Sequence, residues 1–215
     1  MLNSNSSLEH FDQFIVGSFQ RQFIIDVHRM LYRGYRDCQK KVQSDMYEEY
    51  ITGCIGDYID ELLKGNPDFM KQSKYYFLKE EDPVRGEPEK QGKYRQRKDL
   101  VFQFSIPTPR IEFVFEAKRL KSKTHPVTNY IGKEGLQCFV NNEYAKKYQF
   151  AGMLGYVQTD TLSYWMNDLK KKLPQNSSNF KKVSIIKELS EEFTTVHART
   201  KNTDILIFHV LLDFS

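Results

Sequence analysis

Two alternating runs joined by a short proline-rich stretch constrain this chain more than anything else in it. The first is Arg97-Lys98-Asp99-Leu100-Val101-Phe102-Gln103-Phe104; the second, after Arg110, is Ile111-Glu112-Phe113-Val114-Phe115-Glu116-Ala117-Lys118. Both are rich in aromatic and β-branched residues, which pack well on a pleated surface. In the second run Ile111, Phe113, Phe115 and Ala117 alternate with Glu112, Val114, Glu116 and Lys118. A period of two sends these sets to opposite faces of a strand, so Glu116 and Lys118 share one face. Between the runs, Ser105-Ile106-Pro107-Thr108-Pro109 reads as a turn, because proline lacks the N–H that a ladder needs. The pattern predicts a β-hairpin that gathers Asp99, Glu116 and Lys118 around one point. Two carboxylates and an ammonium converging from paired strands suit a divalent metal ion acting on a phosphodiester. The competing account is a plain cross-strand ion pair of Asp99 with Lys118, worth about 0–1 kcal/mol at a surface.

This arrangement resembles the PD-(D/E)XK nuclease superfamily, the restriction-endonuclease-like fold. Its signature is an Asp on one core strand followed by Glu/Asp-x-Lys on the next, matched here by Asp99, Glu116 and Lys118, with Lys98 where many members carry Pro. The resemblance covers roughly Asp45 to Asp160. An acidic-x-Lys triplet alone carries little weight among 28 acidic and 32 basic residues. A second one, Asp168-Leu169-Lys170, lies in a helix-like segment with no paired strand bearing an upstream Asp. The resemblance implies an α/β fold with an αβββαβ core, a mixed central sheet flanked by helices. It further implies a metal-dependent DNA endonuclease that uses Mg²⁺, with Mn²⁺ as a substitute. Asp99 and Glu116 would bind the metal, and the Ala117 carbonyl is a further hard oxygen donor. Restriction or antiphage defence follows by the same resemblance, with a homodimer or a partner protein of a defence system.

In that fold the helix before the hairpin often donates another acid. Here Ser44 or Asp45 reads as an N-cap before a helix from Met46 to Lys64, stopped by Gly65-Asn66-Pro67. A helical projection centres its apolar face near Ile51, with Tyr47, Ile55, Tyr58 and Leu62 close by. Glu48 falls about 60° from that centre, and Glu49 points roughly opposite. Glu48 is therefore the preferred auxiliary ligand and Glu49 the fallback. Both are also ordinary first-turn acids that interact favourably with a helix dipole.

Upstream, Phe11, Phe14, Ile15, Phe19, Phe23, Ile24, Val27, Met30 and Leu31 recur at helical steps from Leu8 to about Val42, with Gly34 a candidate break. Lys74 to Lys79 reads as a first core strand that runs into a polar loop, Glu80 to Pro88. After the hairpin, a helix is expected over Gly132 to Lys147, a buried strand over Ala151 to Val157 whose glycines permit close approach, and a helix over Thr161 to Leu173. Strand-like runs at Val183–Leu189, Phe193–Ala198 and Asp204–Leu212 read as sheet extension or a β appendage. Residues 1–215 are expected to form one domain, with a helical N-terminal extension (1–44), a core (45–173) and a β-rich C-terminal extension (180–215).

Net charge is +4, but from Arg85 to Lys123 eleven Lys/Arg face five Asp/Glu, a local +6. Such a patch can neutralise nucleic-acid phosphates, with Arg95, Arg97, Arg119, Lys121 and Lys123 as candidate contacts. Taken singly, each is as well explained as solvated loop charge. DNA and RNA are not separated by these residues. The pairs His197/Arg199 and His209/Asp213 each share a strand face and are weaker phosphate-contact candidates. No stretch reaches the length of a membrane span, the N-terminus lacks a signal-peptide layout, and the three cysteines show no CxxC, which together favour the cytoplasm. The functional alternative is a non-catalytic or partner-dependent nucleic-acid-binding subunit with a nuclease fold. A third class is an interaction protein that works through the stripe from Phe11 to Leu31.

Overall fold

The computed structural model describes residues 14–15, 17–65, 76–83, 97–104, 110–173, 180–199 and 204–215. The elements are α1 (Gly17–Cys38), α2 (Glu48–Gly65), β1 (Tyr76–Pro83), β2 (Arg97–Phe104), β3 (Ile111–Leu120), α3 (Val127–Ile131), α4 (Gln137–Val140), β4 (Phe150–Val157), α5 (Leu162–Lys172), β5 (Lys181–Val183), β6 (Glu192–His197) and β7 (Ile205–Asp213). The strands form one mixed sheet in the order β1-β2-β3-β4-β7-β6-β5. β1, β2 and β3 pair antiparallel, β3–β4 and β4–β7 parallel, and β7–β6 and β6–β5 antiparallel. Helices α1 and α2 cover one face around Phe102, Phe113, Phe115 and Phe208. The other face is covered by α3, α4 and α5 around Val101, Val114, Met153 and Trp165.

The chain is therefore mixed α/β with a helix-flanked sheet, as the hairpin and helix patterns predict. β4 is buried along its whole length, as expected of a strand with parallel neighbours on both sides and helices on both faces. At Gly152 a Cβ would collide with the Phe115 ring, which stacks on Phe113 at 4.6 Å between centroids. Burying such a ring is worth about 2–3 kcal/mol, so this glycine makes room for the aromatic core under the hairpin. Gly34 does not break α1. A Cβ there would lie 2.8 Å from the Ile55 carbonyl and 2.7 Å from the Ile59 side chain, so it is the crossing point of α1 and α2.

Several expected boundaries move. β1 extends to Pro83, pairing Asp82 with Lys98 and Pro83 with Arg97, so the strand claims the first part of the expected polar loop. Helix α2 starts two residues late, with Ile51 N–H donating to the Tyr47 carbonyl at 3.1 Å. Its buried stripe is Ile51, Thr52, Ile55, Gly56, Ile59 and Leu63, while Tyr47 is 70% exposed. The helix expected over Gly132 to Lys147 is replaced by turns around the four-residue α4. Asn142 and Ala145 adopt left-handed φ values of 60° and 49°, which no α-helix accommodates. Of the run Val183–Leu189 only Val183 lies in a strand. The last strand is not peripheral: β7 pairs with β4 from Phe150↔Leu206 to Val157↔Asp213, in the middle of the sheet, and only β6 and β5 extend it outward. The turn expected at Ser105–Pro109 lies outside the described residues.

Candidate active site

β2 and β3 pair from Phe104↔Ile111 to Leu100↔Phe115, and there the ladder ends. Beyond it β2 stays with β1 through Arg97, while β3 continues beside β4 to Leu120↔Val157. The strands fork. Continuing the register by one residue puts Asp99 and Glu116 on one face of the fork. A backbone leaving a ladder must satisfy its polar groups elsewhere. Ala117 does so with side chains: its N–H donates to Asp99 Oδ2 at 2.6 Å, and its carbonyl accepts from Lys118 Nζ at 2.6 Å.

The same ammonium donates to Glu116 Oε1 at 2.8 Å and to Glu48 Oε1 at 2.9 Å. Glu48 is the first residue of α2 and uses its other oxygen to accept the Arg119 backbone N–H at 3.0 Å. One carboxylate thus docks the start of α2 onto the end of β3. Glu49 lines a separate cavity with Tyr50, Asp57 and Glu61. The geometry gathers Asp99, Glu116, Ala117, Lys118 and Glu48, and leaves Glu49 turned away.

Three carboxylates share one ammonium here. Glu116 is 5% exposed, and burial, reinforced by the Asp99 charge, pushes its carboxyl well above the usual range. Burial likewise raises Asp99 to about 6, although Lys118 and the Ala117 N–H pull the other way. Burial disfavours the Lys118 ammonium, but Glu116, Glu48 and Asp99 outweigh it and hold its pKa above the normal lysine value. Glu116 Oε2 is buried with no hydrogen-bond partner. An orphaned carboxylate oxygen among hard donors, at a site carrying surplus negative charge, fits a divalent cation. The groups that could hold one are Asp99, Glu116, Glu48 and the Ala117 carbonyl. As the side chains stand, Lys118 lies between Glu48 and Glu116, and among the described residues no three His, Cys, Asp or Glu side chains are grouped to hold a metal.

Beside this cluster opens a cleft of about 460 Å³, lined by Glu48, Lys118, Arg119, His125, Asn129 and Lys133 among others. Arg119 donates through Nη2 to His125 Nε2 at 2.8 Å and through Nη1 to the Met46 carbonyl at 3.5 Å. Its guanidinium lies 5.4 Å from the centroid of the Tyr47 ring. Burial first, and then Arg119, depress the His125 pKa, so the ring is a neutral acceptor. Sequence reasoning missed both His125, which sits between the hairpin and the next expected helix, and Lys133, assigned to a helix that does not form. The positive charges around the hairpin were their one available signal.

The other candidates divide. Lys121 is half-buried and donates to the Ser44 carbonyl at 3.2 Å, and Lys123 is exposed with a left-handed φ of 72°. Arg95 lies outside the described residues, and of Arg97 only the backbone is described. His209 is buried, bridging Tyr130 Oη at 3.0 Å and Thr195 Oγ1 at 2.7 Å. His197 completes that chain at 2.7 Å from Thr195 Oγ1. Arg199 donates to the Ala145 and Tyr148 carbonyls, both at 3.2 Å. These three are structural. Asp168 pairs with Lys172 along α5 at 3.0 Å, in keeping with its helical reading.

Comparison with family models, with curated proteins and with solved structures gives no match. Among the described residues no helix is long and apolar enough to cross a membrane.

Proposed function

We propose that this chain is a metal-dependent nuclease of the restriction-endonuclease-like class that hydrolyses DNA phosphodiester bonds, with Mg²⁺ as its ion and Mn²⁺ as a substitute. The observation that carries this reading is the fork, where Asp99, Glu116 and Lys118 meet around the Ala117 peptide with Glu48 closing the ring. Three carboxylates against one ammonium leave surplus negative charge, which costs a bare scaffold stability and which a bound cation would offset. A bound Mg²⁺ supplies Lewis-acid polarisation of the scissile phosphate and lowers the pKa of its water. The chain's own residues do the rest. The Ala117 N–H fixes the Asp99 carboxylate in the fork. Lys118, kept protonated by its neighbours, acts as a donor: it turns from Glu48 and Glu116 to a non-bridging phosphate oxygen and stabilises charge as it grows there. Arg119 and Lys121 hold flanking phosphates without reading sequence. A place in restriction or antiphage defence, and assembly as a homodimer or with a partner protein, belong to the same proposal.

One observation favours a second reading, a non-catalytic or partner-dependent nucleic-acid-binding subunit. Lys118 already pairs with Glu48 and with one oxygen of Glu116 in two short ion pairs. The deciding experiment incubates the protein with supercoiled and linear duplex DNA, single-stranded DNA and RNA, each with Mg²⁺, Mn²⁺ or EDTA, beside Asp99→Ala and Lys118→Ala. Metal-dependent cutting abolished by both substitutions, in chains that remain folded, is the expected result. No cutting under any metal moves the assignment to the second reading. Equal cutting by all three proteins overturns the site.

A further inference from the structure

Tyr47 is a large aromatic side chain left 70% exposed at the rim of the candidate site. It immediately precedes Glu48, so its position is set by the docking of α2 onto β3. One side of the ring is seated on the Arg119 guanidinium, 5.4 Å from the centroid, and that guanidinium is itself tethered to His125 and the Met46 carbonyl. The ring is thus held by a fixed cation while most of its surface stays open. Arg119 also retains a buried Nε with no hydrogen-bond partner, and with Lys118 and Lys133, beside Glu48 and Glu134, it lines the 460 Å³ cleft.

We propose that Tyr47 is a base-stacking platform that selects single-stranded nucleic acid, with Arg119 holding the neighbouring phosphate in the cleft. This rests on the nuclease reading for what happens to the strand, but not for its binding. Inside a duplex both faces of a base are covered by its neighbours. A free π-face is offered only by a single strand or a frayed end, and stacking of that kind tolerates any sequence. An exposed tyrosine beside an open cleft that carries Lys118, Arg119 and Lys133 meets those needs, whereas a duplex groove would present it with sugar and phosphate.

The test uses the full chain with Ca²⁺ in place of Mg²⁺ to hold turnover down. Anisotropy is read with a labelled single-stranded DNA 12-mer, the RNA of the same sequence, and the blunt DNA duplex. Single strands are expected to bind more tightly than the duplex to the unaltered protein. Tyr47→Ala should weaken single-strand binding roughly five- to one-hundred-fold, with either sugar, while Tyr47→Phe retains it and duplex binding stays unchanged. Arg119→Ala should weaken single strands and duplex alike and flatten the salt dependence. Thermal melts check that both variants remain folded. Unchanged single-strand affinity in Tyr47→Ala, equal loss on single strand and duplex, or no single-strand binding by the unaltered protein would overturn the proposal. Tyr47-dependent binding without cleavage in any metal would sink the nuclease reading and leave this one standing; cleavage indifferent to Tyr47 does the reverse.

Discussion

The two halves of the sheet both bury ionisable groups, and they do so in opposite ways. In the β6–β7 half, Tyr130, His209, Thr195 and His197 form a chain of contacts of 3.0, 2.7 and 2.7 Å. One proton arrangement satisfies every link: Tyr130 donates to His209, His209 to Thr195 and Thr195 to His197. Burial pushes the His197 pKa down to about 4 and that of His209 well below its usual value, so both rings are neutral. At the fork between β2 and β3 the groups are charged, unequal in number and open to a cleft. Burial is common to both; imbalance and access are not. A closed neutral network is what a fold uses to satisfy buried polar atoms, and an open, surplus-charged one is what a ligand of opposite charge completes.

Substitution separates the two regions most sharply through activity. Replacing Lys118 by Met removes the donor at the fork, and cleavage per folded molecule is expected to fall on the order of 10²- to 10³-fold, with the melting temperature lowered because Glu48 and Glu116 lose their shared counter-charge. His209→Ala should leave the cleavage rate per folded molecule unchanged while costing about 2–4 kcal/mol, since it opens a cavity beside Phe193 and strands Tyr130 and Thr195. Rates normalised to folded fraction, with denaturant melts alongside, check both. If Lys118→Met leaves the cleavage rate per folded molecule unchanged and His209→Ala abolishes it, the two regions have been assigned the wrong way round.

Asp99→Asn sharpens the contrast further. The folded-state pKa of Asp99, about 6, stands above its usual 3.8, so the folded protein favours the protonated acid. Stability is then lost as pH rises from about 3.8 to 6, and at pH 7 the whole cost is present. Asparagine keeps an oxygen for the Ala117 N–H and removes the charge. The variant is expected to be inactive yet more stable at pH 7 by about 1–3 kcal/mol. Mg²⁺ should raise the melting temperature of the unaltered protein and leave that of Asp99→Asn nearly unmoved. A destabilised Asp99→Asn would mean that the carboxylate is balanced in the fold, and the surplus-charge argument would fail.

The hairpin itself was legible because period-two patterning and aromatic content act locally. Glu48 was legible as well, since a helix's angular spacing places a first-turn acid whatever the tertiary context. The fork was not. Where β2 leaves β3 depends on the backbone pairing at Leu100 and Phe115, and no side-chain pattern marks the end of a ladder. The stretch Gly132–Lys147 misled because Leu136, Phe139, Val140 and Tyr144 fall at helical steps, yet the short α4 and the turns around it bury Leu136, Phe139 and Tyr144 and half-bury Val140. β7 carried its own signal, an almost unbroken apolar run of the kind parallel central strands show. Its place at the end of the chain suggested an edge, but chain order does not dictate sheet order.

The smallest effect expected concerns a third buried pair, intermediate between the other two. His28 Nε2 faces Glu192 Oε1 at 3.6 Å, both almost fully buried and neither atom hydrogen-bonded. His28 Nδ1 donates to the Ile24 carbonyl at 2.7 Å, leaving Nε2 as the lone-pair nitrogen of a neutral ring. Burial lowers His28 to about 4 and raises Glu192 to about 8. The folded state therefore disfavours charge on either group. For His28 that means stability gained as pH rises from about 4 to 6.5; for Glu192 it means stability lost as pH rises from about 4.5 to 8. The two slopes cancel between about 4.5 and 6.5, and above that only the loss remains. Glu192→Gln deletes the falling limb while its amide still offers an oxygen to the Ile185 N–H, which Glu192 accepts at 2.9 Å. Its stability advantage should open above about pH 4.5, reach about 1–2 kcal/mol near pH 7 after relaxation around the ionised glutamate, and stop growing above about pH 8. A gap that instead closes with rising pH would show that Glu192 is ionised and paired with a charged His28, making this half of the sheet as polar as the fork.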